Sequence, residues 1–352
     1  MEVNELLKIM VDNKASDMHL RVPSSPVFRI DGALVTQDDL PQMDSKDIEM
    51  AFERIANPTQ RSVFLKDKEL DFAYSVTGLA RFRVNVLRQR GTISIAFRIV
   101  PFDIPSIDQL AFPQSLEDLI LKRKGFIILT GPAGSGKSTT MAAMIDHINQ
   151  NERRNIITIE NPIEYLHSNK MSIIAQRDIG DDAESFGIAL QKAERHDPDI
   201  IFVGDMRDSD TVFNAIRLVE TGCLVIGVLN ADDVSQAINK ILEAFPDDKQ
   251  KQGRAQLSRT LEAVISQKLA IRIIGGRVAV FEILMVDNEV REMIQASNDL
   301  PFSNNGQGQS MDYALANLVK NGVISSDEAL NKSHSVELLR NILKNKKQKT
   351  KV

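Results

Sequence analysis

The residues Gly131-Pro132-Ala133-Gly134-Ser135-Gly136-Lys137-Ser138-Thr139 have the spacing GxxxxGK[ST]. Glycines at these intervals let successive backbone N–H groups point inward around a phosphate. A helix that starts at the end of the loop adds partial positive charge at its N-terminus. Lys137 then reaches the β and γ phosphates, and the Ser138 hydroxyl ligates Mg²⁺. The pattern carries this meaning only between a strand and a helix. Both flanks fit: Phe126–Thr130 is an apolar run suited to a buried strand, and Ser138–Asn149 sets Met141, Met144, Ile145 and Ile148 on one helical face.

Such a loop also needs an acid beside the metal. Asp199-Ile200-Ile201-Phe202-Val203-Gly204-Asp205 reads as a β-branched strand that ends in one. Asp205 is the metal-positioning candidate, with helix capping as its alternative role. Thr158-Ile159-Glu160-Asn161-Pro162-Ile163-Glu164 supplies two more carboxylates after another apolar strand. A carboxylate here can orient and deprotonate an attacking water. Glu164 and Glu160 compete for that role, and either could be a surface charge.

The elements around these residues fall into two patterns. From Leu116 onward, apolar strands alternate with helices: Asn155–Ile159, Ser185–Glu194, Asp199–Val203, Ser209–Glu220, Leu224–Leu229 and Val234–Phe245. This predicts a doubly wound α/β core. Gln252–Leu269 reads as one long helix, followed by a hairpin of Arg272–Ile274 and Val278–Met285 across Gly275-Gly276. Helices with polar breaks at Ser303–Ser310 are expected after Val290.

The first hundred residues predict a mixture: helices at Glu2–Asp12, Asp44–Ile55 and Thr59–Leu65, and strands at Asp17–Val22, Pro26–Ile30, Asp71–Val76, Ala80–Leu87 and Thr92–Val100. The last two alternate with period 2, Phe82, Val84 and Val86 on one face and Arg81, Arg83 and Asn85 on the other. A two-residue turn at Arg90-Gly91 would set Arg83 opposite Arg98. Like charges directly opposed are destabilising. They are tolerated on a solvated face, or they mark a site for an anion arriving from elsewhere. Pro101, Pro105 and Pro113 place a linker at 101–115. The expected division is residues 1–100, that linker, a core at 116–290 and a helical region at 291–352.

Composition excludes several classes. The 352 residues are 43% hydrophobic and 26% charged, enough apolar content for a folded core. No apolar run approaches the roughly 18 residues of a membrane-spanning helix. The first five residues are acidic and lack a secretory signal core. One cysteine, Cys223, rules out a four-cysteine zinc module and points to a reducing cytoplasm. Net charge is −5, from 43 basic and 48 acidic residues. Five lysines lie in Lys344–Val352, so the rest carries 38 basic against 48 acidic. An acidic body without tryptophan disfavours a nucleic-acid motor.

Taken with further segments, these residues resemble the bacterial secretion and pilus motor ATPases, and within them the type IV pilus retraction ATPases. The segments are Ala15-Ser16-Asp17-Met18-His19-Leu20, Arg81-Phe82-Arg83-Val84-Asn85, the phosphate loop, Thr158–Glu164, Asp197-Pro198-Asp199, Val203–Asp208, Glu220-Thr221-Gly222, Phe245-Pro246 and Ile265-Ser266-Gln267. The resemblance implies an α/β fold with a RecA-like P-loop ATPase core and a smaller α+β PAS-like N-terminal domain. It implies ATP and Mg²⁺ as ligands, with Ser138 and Asp205 on the metal. It implies Arg81, Arg83 and Arg98 closing over the phosphates. It also implies a homo-hexamer at the inner face of the cell membrane, pulling on an inner-membrane platform protein, with a second pilus motor ATPase as a further partner. Assembly ATPases of this group are longer and carry a four-cysteine module, which disfavours that branch.

Several positions depart from the family pattern. Histidine is usual where Cys223 and Asn230 stand, aspartate where Asn161 stands, glutamate where Asp205 stands, and arginine where Gln191 stands. Glu289-Val290-Arg291-Glu292-Met293-Ile294 replaces the usual Ala-Ile-Arg-Asn-Leu-Ile. The expectation is that these changes cluster around chemistry and force transmission. They open an alternative: a paralogue that binds ATP, hydrolyses it slowly and serves as an accessory motor subunit.

Overall fold

The computed structural model describes residues 2–30, 32–100, 103–296 and 308–344. It separates into two compact units, Met1–Phe102 and Asp103–Val352.

The first unit contains α1 (Val3–Asp12), β1 (Asp17–Leu20), β2 (Val27–Ile30), β3 (Ala33–Thr36), α2 (Ser45–Ile55), α3 (Pro58–Asp67), β4 (Glu69–Val76), β5 (Ala80–Gln89) and β6 (Thr92–Val100). Helix starts follow from local chemistry. Asp44 and Asp47 form a reciprocal cap on α2; Asn57 and Gln60 do the same on α3, with Pro58 in its first turn. The six strands form one sheet in the order β3-β2-β1-β6-β5-β4, every pairing antiparallel. Met18, Phe28, Phe82, Val84, Val86, Ile95 and Phe97 point into a core shared with α1 and α2. Arg90 and Gly91 both take positive φ, 47° and 84°, the two-residue turn that matches strand twist.

The other face carries charge. Arg83 lies opposite Arg98, as the turn register predicts. Asp17 is the partner of Arg98 on the far side, and Arg29 the partner of Asp17. Arg98 Nε donates to Asp17 Oδ1 at 2.7 Å, and Arg83 lies 3.9 Å from Asp71 Oδ1. Carboxylates on β1 and β4 therefore separate the like charges, and no external anion is needed to account for their meeting. Burial works to raise the Asp17 carboxyl, but the Ser16 hydroxyl and the Arg98 guanidinium outweigh it and hold it below the usual range.

The second unit contains α4 (Gln114–Ile120), β7 (Gly125–Thr130), α5 (Lys137–Asn151), β8 (Asn155–Glu160), β9 (Ile173–Asp178), α6 (Phe186–Ala193), β10 (Ile200–Val203), α7 (Ser209–Glu220), β11 (Leu224–Leu229), α8 (Val234–Glu243), α9 (Gln250–Thr260), β12 (Leu261–Ile271), β13 (Arg277–Met285), α10 (Asn288–Ala296), α11 (Met311–Lys320), α12 (Ser326–Lys332) and α13 (Val336–Lys344). Its seven-stranded sheet has the order β13-β12-β7-β11-β10-β8-β9. All pairings are parallel except β12 with the edge strand β13. Along β7, Phe126 and Ile128 join the core beneath α6, α7 and α8. Ile127 and Leu129 join the opposite core, beneath α4 and α5. Burial on both faces is why the strand reads as a continuous apolar run.

Three expectations need correction. Gln252–Leu269 is not one helix: it breaks at Thr260 and continues as β12, which pairs in parallel with β7. The hairpin beyond it is longer than expected, Ala263–Ile271 on Met285–Arg277. The linker at 101–115 does not hold, because Ile107 and Phe112 are buried in the second unit's core; Pro101 lies outside the described residues. The helices after Val290 belong to the same compact unit as the sheet. Of the expected breaks at Ser303–Ser310 and the basic tail, residues 303–307 and 345–352 lie outside the described residues. Among the described residues, no helix is long and apolar enough to cross a membrane.

Because the Asp17 carboxyl titrates below its unfolded value, its stabilisation is present above about pH 4 and lost as pH falls through the folded value. Asp17→Asn is expected to lower stability by about 1 kcal/mol at neutral pH. The difference from the parent should close in acid, as read by urea unfolding at a series of pH values.

Candidate nucleotide-binding site

The loop between β7 and α5 is built where the sheet's parallel strands end. Gly131 takes φ +146°, and a Cβ there would lie 2.3 Å from the Gln267 carbonyl oxygen on β12. Only glycine lets the loop turn against that neighbouring backbone. Gly134 and Gly136 also have positive φ, 74° and 88°. Gly136 precedes the first turn of α5, whose opening residues Lys137, Ser138 and Thr139 follow directly. Lys137 Nζ donates to the carbonyls of Gly131 at 2.6 Å and Pro132 at 2.9 Å.

Two cavities meet at Lys137. One, of about 640 Å³, is lined by the loop, by Glu164 and by Gln267, Arg272 and Arg277 of the β12–β13 hairpin. The other, of about 140 Å³, brings together Lys137, Ser138, Glu160, Glu164, Asp205 and Asn230. The carboxylates come from the ends of β8 and β10, adjacent in the sheet. Burial pushes the Lys137 ammonium down, opposed by the charges of Asp205 and Glu164.

Asp205 lies just past β10. The helix cap here is Asp208, which accepts from the Thr211 backbone N–H at 2.8 Å, so capping does not explain Asp205. Arg207, which sequence reasoning left out, donates through Nε to Asp205 Oδ2 at 2.6 Å. That contact raises the guanidinium's affinity for its proton. Ser138 and Asp205 offer oxygen donors only, the set a hard Mg²⁺ prefers. Among the described residues, no cluster of three acidic, histidine or cysteine side chains is arranged to hold an ion alone. A metal here would complete its shell with phosphate and water oxygens, as Mg²⁺ commonly does.

The two glutamates differ sharply. Glu160 is 5% exposed. It accepts from Thr158 Oγ1 at 2.6 Å and Gln176 Nε2 at 3.1 Å. Burial raises its carboxyl, against those hydrogen bonds, and Asp178 adds to the rise. Glu164 is exposed and lines both cavities. Gln176 also donates to the Tyr165 carbonyl at 2.8 Å, and the Tyr165 hydroxyl meets Thr139 Oγ1 at 2.9 Å. These bonds tie the Glu164 segment to the first turn of α5. Arg81, Arg83 and Arg98 belong to the first unit, on β5 and β6.

Of the departures from the family pattern, Asn161, Asp205 and Asn230 share the smaller cavity, and Cys223 does not. Cys223 sits before β11, at the strand end opposite Asn230, roughly 20 Å away at strand rise. It is buried, and its Sγ reaches the Pro198 carbonyl at 3.1 Å. Burial pushes its thiol up.

The family model for the Type II/IV secretion system protein matches residues 2–275, and the chain belongs to that family. It is 36% identical to the type IV pilus retraction ATPase PilT of Pseudomonas aeruginosa, over 95% of this chain and 98% of that protein. It is 34% identical to the type IV pilus ATPase PilU of the same organism, over 98% of this chain and 92% of that one. A crystal structure of the pilus retraction motor PilT with bound ADP superposes with a TM-score of 0.90 at 39% identity, covering 97% of this chain and 99% of that one. The fold is therefore α/β, a RecA-like P-loop ATPase core with a smaller α+β PAS-like unit before it.

Because the Glu160 carboxyl is raised, the folded chain holds a proton the unfolded chain would release, and stability falls as pH rises through that window. Glu160→Gln removes the buried charge. It is expected to raise the melting temperature at pH 7 to 8, with the gain shrinking toward pH 4, as followed by calorimetry.

Proposed function

We propose that this chain is a motor ATPase of the type IV pilus that works as a homo-hexamer and drives retraction by binding and hydrolysing Mg–ATP. The observation that carries this reading is one cavity shared by Lys137, Ser138, Glu164 and Asp205 at the strand ends beside the phosphate loop. The likeness to PilT over nearly the full length of both chains supports the pilus assignment.

In this reading the residues Gly131, Ala133, Gly134, Ser135 and Gly136 offer backbone N–H groups to the phosphates, Pro132 shapes the loop without an N–H of its own, and Thr139 braces the start of α5. Lys137 leaves the loop carbonyls for the β and γ phosphates, where its charge offsets what develops in transfer. Ser138 and Asp205 hold the Mg²⁺, which when bound neutralises phosphate charge. Glu164 orients the attacking water and takes its proton. Glu160, buried and hydrogen-bonded, keeps the segment in place. Arg81, Arg83 and Arg98 close over the triphosphate, which competes with Asp17 for Arg98 and with Asp71 for Arg83. The assembled ring docks at the inner face of the cell membrane and pulls on a platform protein there.

Lys137→Ala and Glu164→Gln are each expected to lower phosphate release by about 10² or more, and Glu160→Gln by far less. Phosphate release with Mg–ATP, measured alongside mass in solution, checks this. Wild-type turnover no higher than that of Lys137→Ala would defeat it.

A second reading is favoured by Asn230, an uncharged side chain in the cavity where the family pattern has histidine, and by the likeness to PilU. Here the chain binds ATP, turns it over slowly and assists another pilus motor. It predicts ATP-dependent assembly with hydrolysis near background. Asn230→His should then raise turnover, whereas Cys223→His, remote from the cavity, should not.

A further inference from the structure

We propose that Gln267 is a positioning residue for triphosphate binding: it holds the Ser135–Gly136 peptide so that the Gly136 N–H faces the phosphate. The proposal rests on the nucleotide reading above. Gln267 is 1% exposed on β12, one residue beyond the pairing of Ser266 with Thr130, the last residue of β7. Its Nε2 donates to the Ser135 carbonyl at 2.8 Å. The only cis peptides are Val22–Pro23 and Asn161–Pro162 among the described residues, so the Ser135–Gly136 peptide is trans. In a trans peptide the N–H points opposite to the C=O. With the carbonyl held toward β12, the Gly136 N–H is directed away from that strand.

The same residue also fixes the loop's other end. The Gln267 carbonyl oxygen is the atom a Cβ on Gly131 would strike, and a Cβ on Gly136 would come within 3.0 Å of Gln267 Nε2. Leu269 of β12 also packs beside Gly136, but as an apolar side chain it cannot hold the Ser135 carbonyl, so the amide is the contact from β12 that fixes which way the peptide faces. Rotation would present a carbonyl dipole where a phosphate needs a donor, replacing attraction with repulsion.

A cost attends this arrangement. Gln267 Oε1 and Ser135 Oγ are both buried without a hydrogen-bond partner. Buried polar atoms in that state are uncommon and call for an explanation. A methionine would fill the same volume with no orphaned acceptor. The amide is therefore poorly accounted for by packing alone and well accounted for by control of one peptide's orientation.

The test compares wild type with Gln267→Met, which keeps the volume, and Gln267→Leu, which is apolar and close in size; neither can donate to the Ser135 carbonyl. Mg–ADP binding by calorimetry, steady-state ATP hydrolysis and unliganded melting are measured on the full chain. Both variants should bind Mg–ADP roughly tenfold more weakly and raise the KM for ATP by more than they lower kcat. Their cooperative melting should remain within a few degrees of the parent. Equal ADP affinity in wild type and variants overturns the positioning role and leaves the nucleotide reading intact. Loss of cooperative melting in both variants assigns Gln267 to the fold instead and also overturns it. A wild type that ignores millimolar Mg–ADP removes the nucleotide reading, and this proposal with it.

Discussion

A loop can offer its backbone N–H groups to an anion only if those groups stay unpaired and the loop is still held in one shape. The two demands conflict, since unpaired backbone is mobile or costly. Here the conflict is met by contact with the neighbouring strand. Gly131 lies so close to β12 that no side chain fits between them, and the Ser135 carbonyl is held by Gln267 from that strand. The loop is thus fixed through its carbonyls and its Cα surface; the Ser135 N–H donates to the Pro132 carbonyl at 3.2 Å, and the Gly136 N–H is directed away from β12. The carboxylates of Glu164 and Asp205 then arrive from the ends of β8 and β10, on the other side of Lys137.

The first unit handles charge in a different way. Arg29, Asp17, Arg98 and Arg83 are successive cross-strand partners on one face of its sheet. Two adjacent arginines would repel, but each has a carboxylate nearby, Asp17 for Arg98 and Asp71 for Arg83. Asp17 is buried while the Arg98 side chain is 70% exposed. The stronger tie is therefore at the carboxylate end, and the guanidinium keeps most of its surface. An anionic ligand that draws on Arg98 must outcompete a preformed partner, whereas Arg83 and Asp71 are both half-exposed and only loosely joined.

Much of this was legible in the residues because local patterns and tertiary context agree. The β5–β6 register follows from alternation and a two-residue turn, which together set Arg83 against Arg98. The parallel strands β7, β8, β10 and β11 were visible as short apolar runs. The failure at Gln252–Leu269 has a clear cause. Leu257, Leu261, Val264, Ile265 and Leu269 recur at helical intervals, and no glycine or proline interrupts the segment after Gly253. Yet β12 from Leu261 to Gln267 is buried on both faces but for Glu262, so its period-2 signal is absent and the helical spacing is incidental. That error hid Gln267, because a residue on an isolated helix has no reason to touch the phosphate loop. The edge strands β3 and β9 were missed for the converse reason: β3 is exposed along its whole length, and β9 is buried only at Asp178.

Distance along β11 also separates departures that look alike in the sequence. Cys223 and Asn230 both replace an expected histidine, seven positions apart. They flank β11, an interior strand, so its length puts them at opposite ends of that strand. Asn230 shares a cavity with Lys137 and Glu164, where losing a titratable ring changes the charge and proton inventory. Cys223 is packed against the Pro198 carbonyl, among residues that support α7 and β10. A histidine there would contribute to that packing region and to whatever surface adjoins it, not to the phosphates. Of the altered positions, Asn230, Asn161 and Asp205 line the cavity beside Lys137, and Cys223 belongs to the supporting core.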